Sequence, residues 1–91
     1  MAAETEGPGE GRRVADMPGG RKLRDISGDQ AIRAFQRAGY RVVRTRGSHV
    51  ILEHGDRRPL VIPRHRRLRT GMIMARIKDA GLTVEGFEEL L

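Results

Sequence analysis

Apolar residues recur at helical spacing in three segments of this chain. Ser27 and Gln30 form a capping-box pattern ahead of the first segment, which predicts a helix over residues 28–38. Thr70 is predicted to cap a second helix, and Thr83 a short third one. The apolar stripes are Ala31, Ile32, Phe35 and Ala38, ended by Gly39; Ile73, Ile77 and Ala80, ended by Gly81; and Phe87, Leu90 and Leu91.

Between the first two helices, three short runs rich in β-branched residues are typical of β-strands. Short turns join these runs, so the predicted sheet is antiparallel. Pro63 is expected to close the third strand, because proline cannot donate to a sheet ladder. The predicted strands are residues 40–45, 49–53 and 60–62, and the predicted turns are Arg46-Gly47 and residues 54–58.

The predicted order is α-β-β-β-α with a short C-terminal helix, which is an α+β fold. The helices must bury their apolar stripes, and we expect two of them to pack on one face of the sheet and leave the other face open. Val50 and Leu52 then face the helices, and His49 points to the open face. A turn at Arg46-Gly47 would place Arg44 opposite His49. It would also pair Thr45 with Ser48 and Val43 with Val50.

The composition adds a strong positive charge to this picture. The 91 residues are enough for one domain and carry a net charge of +6. Residues 1–20 hold five of the 12 glycines and few bulky apolar residues, so we predict a disordered tail there and a folded domain over residues 21–91. The tail has two arginines against four acids, a net of −2, which leaves the domain with +8.

Arginine dominates this charge, with eleven arginines against only Glu53 and Asp56 between Arg33 and Arg69. The planar guanidinium suits bidentate contacts with phosphate, so the pattern favours a phosphate-bearing partner over a merely solvated surface. The absence of cysteine excludes disulfides and thiolate zinc sites. The sequence also lacks an apolar run near the roughly 18 residues of a membrane span, so we expect a soluble, cytoplasmic protein.

The candidate chemistry lies at Gly47-Ser48-His49, within the basic stretch. Histidine can take and give a proton near neutral pH, and a proton-transferring group on a positive surface is what hydrolysis of a polyanion needs. A simpler alternative is that His49 is an ordinary surface residue. Ser48 is more typical of a residue in a tight turn than of a catalytic nucleophile. His49, His54 and His65 lack a recognised ligand spacing, so no metal or cofactor is expected.

Five short motifs follow one another along residues 28–82. They are Gly39-Tyr40, Arg46-Gly47-Ser48-His49, Val61-Ile62-Pro63-Arg64-His65, Gly71-Met72-Ile73 and Ile77-Lys78-Asp79-Ala80-Gly81-Leu82. In this order and spacing they resemble the HicA (YcfA-like) mRNA interferase family. The resemblance implies a fold like the double-stranded-RNA-binding domain and a toxin of a type II toxin–antitoxin system, which cleaves mRNA and is neutralised by a HicB antitoxin. It also implies that His49 is the catalytic histidine.

Two features depart from the family pattern. Residues 1–20 lie outside the resemblance. Val50 stands where many members carry a second polar residue or a histidine, which bears on activity or substrate preference and not on the position of the catalyst.

These observations together predict a metal-independent endoribonuclease. RNA carries its own nucleophile, the 2′-OH, so a base, an acid and charge stabilisation are sufficient. His49 would be the general base or acid, Arg44 and Arg46 would hold the scissile phosphate, and His65 is a candidate second proton carrier. The predicted RNA-binding residues are Arg44, Arg46, Ser48, Arg64, His65, Arg66, Arg67 and Arg69.

The main alternative is a non-catalytic RNA-binding module on the same fold, which would need the basic face and not His49. A structural subunit of a larger assembly is disfavoured because the high charge density opposes self-packing. We also expect a folded acidic antitoxin of the HicB type to cover His49 and the nearby arginines and to compete with RNA, since charge complementarity speeds association and helps to exclude wrong partners.

Overall fold

The computed structural model describes residues 23–91 and confirms the predicted α+β fold of α-β-β-β-α order. The three strands form one antiparallel sheet in the order β1-β2-β3. The predicted tail, residues 1–20, lies outside the described residues. In chain order the elements are α1 (Gly28–Arg37), β1 (Arg41–Arg46), β2 (His49–Glu53), β3 (Leu60–Pro63), α2 (Thr70–Asp79) and α3 (Val84–Glu89).

The predicted capping box opens α1. The Ser27 hydroxyl accepts a hydrogen bond from the backbone N–H of Gln30 at 3.1 Å, and the Gln30 side chain accepts one from the N–H of Ser27 at 2.9 Å. After α1, Gly39 has a φ of 105°, in the left-handed region. A Cβ at Gly39 would also lie 3.0 Å from the His54 ring. Glycine is therefore favoured here both by the backbone conformation and by the lack of space for a side chain.

The core lies between the helices and one face of the sheet. Val50 and Leu52 on β2 are fully buried there, and Phe35 of α1 meets Phe87 of α3 with ring centroids 4.9 Å apart. Burying one such side chain contributes roughly 1.5–3 kcal/mol. The other face of the sheet is open, and Val61 is 45% exposed on it. The predicted packing of helices on one face is therefore confirmed.

Two details of the later helices differ from the prediction. The N-cap of α2 is Arg69, without a side-chain capping bond, and Thr70 is the first helical residue. Thr83 caps α3 as predicted, with its hydroxyl accepting from Gly86 N–H at 3.0 Å. However, α3 ends at Glu89, so Leu90 and Leu91 lie beyond it, and Leu91 is 38% exposed.

An arginine from the basic stretch binds the carbonyl groups at the end of α2. The Arg57 guanidinium donates to the backbone oxygens of Ala80 at 3.0 Å and Gly81 at 3.3 Å. These bonds satisfy carbonyls that a helix end otherwise leaves without partners. Gly81 has a φ of 72°, as a glycine stop requires. Arg57 is thus part of the structural framework.

The predicted turn between β1 and β2 is wrong by one residue. The two turn residues are Gly47 and Ser48, and Arg46 pairs directly with His49. The predicted partners of Arg44, Thr45 and Val43 are therefore wrong. Gly47 has a φ of 58° and takes the first turn position, where tight hairpins need a positive φ.

The resulting register differs from the predicted one by two residues, which preserves the faces of the strand. Arg44 pairs with Ile51 and so stays on the same face as His49. A bulge at Val43 interrupts the ladder between Val42 and Arg44. Within residues 23–91, no helix is long and apolar enough to cross a membrane.

Candidate functional site

His49 lies at the first position of β2, exposed on the open face of the sheet. Its cross-strand neighbours are Arg46 on β1 and Pro63 on β3. Directly opposed residues share one face with Cβ atoms about 4.5–5.5 Å apart, so the Arg46 and His49 side chains are neighbours. Within residues 23–91 the His49 ring makes no hydrogen bond, which leaves both ring nitrogens available to a ligand.

The next row on this face combines a cation with apolar surface. Arg44 pairs with Ile51, and Ile51 pairs with Val61 on β3. Val61 is 45% exposed and Ile51 is partly exposed. Among the described residues, neither Arg44 nor Arg46 forms an ion pair. This face therefore offers two free guanidinium groups and an apolar strip beside an exposed imidazole, a combination suited to a nucleotide.

Ser48 and Arg64 continue the ladder beyond His49 and Pro63. The backbone N–H of Arg64 donates to the carbonyl oxygen of Ser48 at 2.7 Å. The Arg64 Nε lies 3.3 Å from an oxygen of Asp29, which limits where this guanidinium can go. Ser48 itself is exposed in the turn. The structure thus brings Ser48 and Arg64 to the same end of the sheet as His49.

The start of α1 supports this end of the sheet. A Cβ on Gly28 would lie 2.0 Å from the carbonyl oxygen of Pro63 and 2.8 Å from the Cα of Arg64, so only glycine fits. The N–H of Gly28 donates to the carbonyl oxygen of His65 at 2.8 Å. These contacts fix the path of the chain as it leaves β3.

The rest of the basic loop is anchored at its far end. Leu68 N–H donates to the carbonyl of Ile26 at 2.8 Å, and Arg67 lies 3.8 Å from Asp25 in an exposed ion pair. In the described part of the chain, no hydrogen bond or ion pair joins the remaining predicted RNA-binding side chains of this loop to His49. Those side chains, all exposed, are His65, Arg66, Arg67 and Arg69.

His54 follows the other end of β2, and its ring makes contacts typical of a structural residue. Its Nδ1 accepts a hydrogen bond from the N–H of Asp56 at 2.9 Å, and its ring lies 5.1 Å from the ring of Tyr40. The Tyr40 hydroxyl donates to the carbonyl oxygen of Arg58 at 2.8 Å. Burial raises the pKa of Tyr40, an effect that Arg57 partly offsets. Over residues 23–91, no group of three acidic or histidine side chains is placed to hold a metal ion.

Sequence reasoning missed two acids that pair with arginines of the basic loop, Asp29 in the first turn of α1 and Asp25 ahead of that helix. Asp29 and Asp25 pair with Arg64 and Arg67, and their charges looked like ordinary first-turn and surface acids. Gly28 did carry a signal. A glycine inside the first turn of a helix lowers helix stability, so its presence points to a close approach by other backbone.

Comparison with known proteins identifies the family. The model of the family described as the HicA toxin of bacterial toxin–antitoxin systems matches residues 28–82. This segment runs from the first residue of α1 to just beyond α2, and it includes the whole sheet and the site around His49. A search of curated proteins finds no significant match. Because the match covers more than half of the 91 residues, the chain belongs to the HicA toxin family of bacterial toxin–antitoxin systems.

Proposed function

We propose that this toxin is a metal-independent endoribonuclease that cuts mRNA, with His49 as a general acid or base. The observation that carries the proposal is the row formed by Arg46 and His49 on the open face. An exposed imidazole beside a free guanidinium supplies proton transfer and phosphate binding at one place. A structural histidine would be expected to make the kind of contacts that His54 makes.

In the proposed reaction the 2′-oxygen of RNA attacks the adjacent phosphorus atom. A base takes the 2′ proton, the bond from phosphorus to the 5′-oxygen breaks, and an acid gives a proton to that oxygen. The products are a 2′,3′-cyclic phosphate and a 5′-hydroxyl. His49 performs one of the two proton transfers, with His65 as the candidate for the other. Arg44 and Arg46 offset the negative charge that develops on the phosphate.

RNA binding is proposed to extend from this row along the basic loop. Arg64, held by Asp29, stands where the strand β3 ends, and the loop continues with His65, Arg66, Arg67 and Arg69. The exposed apolar side chains of Val61 and Ile51 offer contacts to nucleobases. Phosphate contacts by arginine make the affinity depend on salt.

Membership of a toxin–antitoxin family implies an antitoxin partner. We propose that the partner is an acidic, folded protein of the HicB type that covers His49 and the nearby arginines. Its charge would complement the +6 net charge of the toxin and speed capture. It would therefore compete directly with RNA for the open face.

The test is a gel assay with a single-stranded RNA and its all-2′-deoxy counterpart, both in excess EDTA. We expect the RNA to be cut to products with a 2′,3′-cyclic phosphate, and the deoxy strand to be bound and left intact. RNA that is shifted and stays intact would instead favour a non-catalytic RNA-binding module. Cleavage that disappears with EDTA would contradict a metal-independent mechanism.

A further inference from the structure

The two edges of the sheet differ in how they are covered. At the β3 edge, the start of α1 is packed so closely against Pro63 that a Cβ on Gly28 would clash with its carbonyl oxygen. Pro63 also has no N–H to offer. At the opposite edge, all six residues of β1, Arg41–Arg46, are exposed. The sheet therefore has one edge that is covered at its Pro63 end and one edge, β1, that is exposed along its whole length.

The hydrogen bonds of β2 show which of its backbone groups face each neighbour. Arg64 N–H donates to the Ser48 carbonyl, so Ser48 directs its carbonyl toward β3. Backbone groups alternate in direction along an antiparallel strand. Val50 and Leu52 therefore direct theirs toward β3 as well, while His49 and the residues in phase with it face β1.

The same alternation assigns the outward groups of β1. Thr45 lies opposite Val50, and Val42 lies opposite Leu52. Because Val50 and Leu52 direct their backbone groups toward β3, Thr45 and Val42 direct their N–H and C=O groups away from the sheet. Within residues 23–91, the open edge at β1 thus presents unpaired donors and acceptors that an added strand would satisfy.

The side chains of β1 determine what kind of strand can be added. Arg41, Arg44 and Arg46 give the strand three positive charges and no negative one. A second copy of β1 would bring like charges face to face, which destabilises strand pairs. Val42 and Val43, 39% and 37% exposed, add apolar contact area. The edge is therefore protected against pairing with itself and complementary to an acidic strand.

We propose that β1 is a docking edge, to which the antitoxin adds an acidic β-strand as a fourth strand of the sheet. This strand would lie alongside Arg44 and Arg46, one strand away from His49, and so would approach the site from the side. The docking mode rests on the antitoxin partner that the family implies. Only the expectation that the added strand lies close to a catalytic histidine rests on the proposed function.

A proline substitution tests the edge directly. Thr45→Pro removes an outward N–H without removing a ladder bond, and proline is tolerated at such edge positions. The matched control is Thr45→Ala, which keeps the N–H. With the product of the neighbouring gene as the candidate antitoxin, we expect calorimetry to show binding weakened about tenfold by Thr45→Pro and hardly at all by Thr45→Ala. Equal affinities of the two variants would overturn the proposal, as would an antitoxin that does not bind the unaltered toxin.

Amide hydrogen exchange on the unaltered protein gives an answer even if Thr45→Pro fails to fold. The Thr45 and Val42 amides should exchange rapidly in the free toxin and become protected in the complex. Amides that stay unprotected in the complex would contradict the proposal, as would protection that appears with rising toxin concentration alone. An inactive toxin whose edge is protected in the complex would refute the proposed ribonuclease and leave the docking mode standing.

Discussion

Arg46 and His49 lie directly opposite each other across the β1–β2 ladder, on either side of the two-residue turn Gly47-Ser48. The short turn places a cation and an imidazole side by side on rigid strands. A site built on strands holds its side chains more precisely than one built on a mobile loop. This pair is therefore the centre of the proposed phosphate site.

The first prediction concerns the charge of Arg46. Arg46→Gln should weaken binding of the all-2′-deoxy strand and reduce the slope of log affinity against log salt by about 0.7, the value for one phosphate contact with a single strand. The control is Arg33→Gln, on the exposed side of α1. Both variants lose one positive charge, so an equal change in slope would contradict a specific contact at Arg46.

The second prediction concerns Asp29 as a residue that positions Arg64. Asp29→Asn should lower the rate of RNA cleavage at saturating RNA several-fold, because Arg64 loses its anchor at 3.3 Å. Asp25→Asn, which frees Arg67 and changes the charge equally, should leave this rate nearly unchanged. Both ion pairs are exposed, so neither variant should lose more than about 1 kcal/mol of stability. Equal rates for the two variants would refute the role of Asp29.

The third prediction sets steric clash against helix propensity. Gly28→Ala should destabilise the fold by about 1–3 kcal/mol, because the added Cβ meets the backbone of Pro63 and Arg64. Gly71→Ala in α2 meets nothing within 4 Å and should stabilise by up to about 1 kcal/mol. Urea denaturation of both variants measures the two signs. A stabilising Gly28→Ala would show that α1 does not press against the end of β3.

Sequence patterns were sufficient for the elements of this fold and not for their register. The capping box at Ser27 and the apolar stripe on α1 were both readable, because helix signals are local. A glycine in a hairpin does not by itself reveal whether it takes the first or second turn position. The prediction consequently shifted the ladder by two residues and placed Arg44, instead of Arg46, opposite His49.

The bulge and the support from α1 depend on contacts between distant segments. Val42 and Val43 are both strand formers, so nothing local shows where the ladder shifts. Asp29 and Arg64 are far apart in sequence, and only the packing of α1 against the end of β3 brings them together. His49 was singled out because histidine chemistry is unusual in a basic hairpin. The structure confirms that His49 lies on the open face, and its catalytic role stays a prediction.

The fourth prediction concerns stability at alkaline pH. Burial raises the pKa of Tyr40 above that of free tyrosine. The contribution of this shift to the free energy of unfolding is therefore complete below about pH 10, and it is lost as the pH rises through the higher pKa of the folded state. Tyr40 is the only tyrosine in the chain, so ultraviolet titration reports it alone. Tyr40→Phe should be less stable at neutral pH by about 1 kcal/mol, through loss of the bond to Arg58, and should lose this part of the pH dependence. A native Tyr40 that titrates at or below the value of free tyrosine would contradict it.

The central claim is that His49 transfers a proton during RNA cleavage. The most direct test is the single-turnover cleavage rate of His49→Ala in EDTA, with Thr45→Ala as a control on the same hairpin. We expect His49→Ala to fold, to bind the all-2′-deoxy strand as well as the unaltered toxin does, and to cut RNA at least about 100-fold more slowly. Thr45→Ala should cut at the unaltered rate. A folded His49→Ala variant that cuts RNA at the unaltered rate would contradict the assignment.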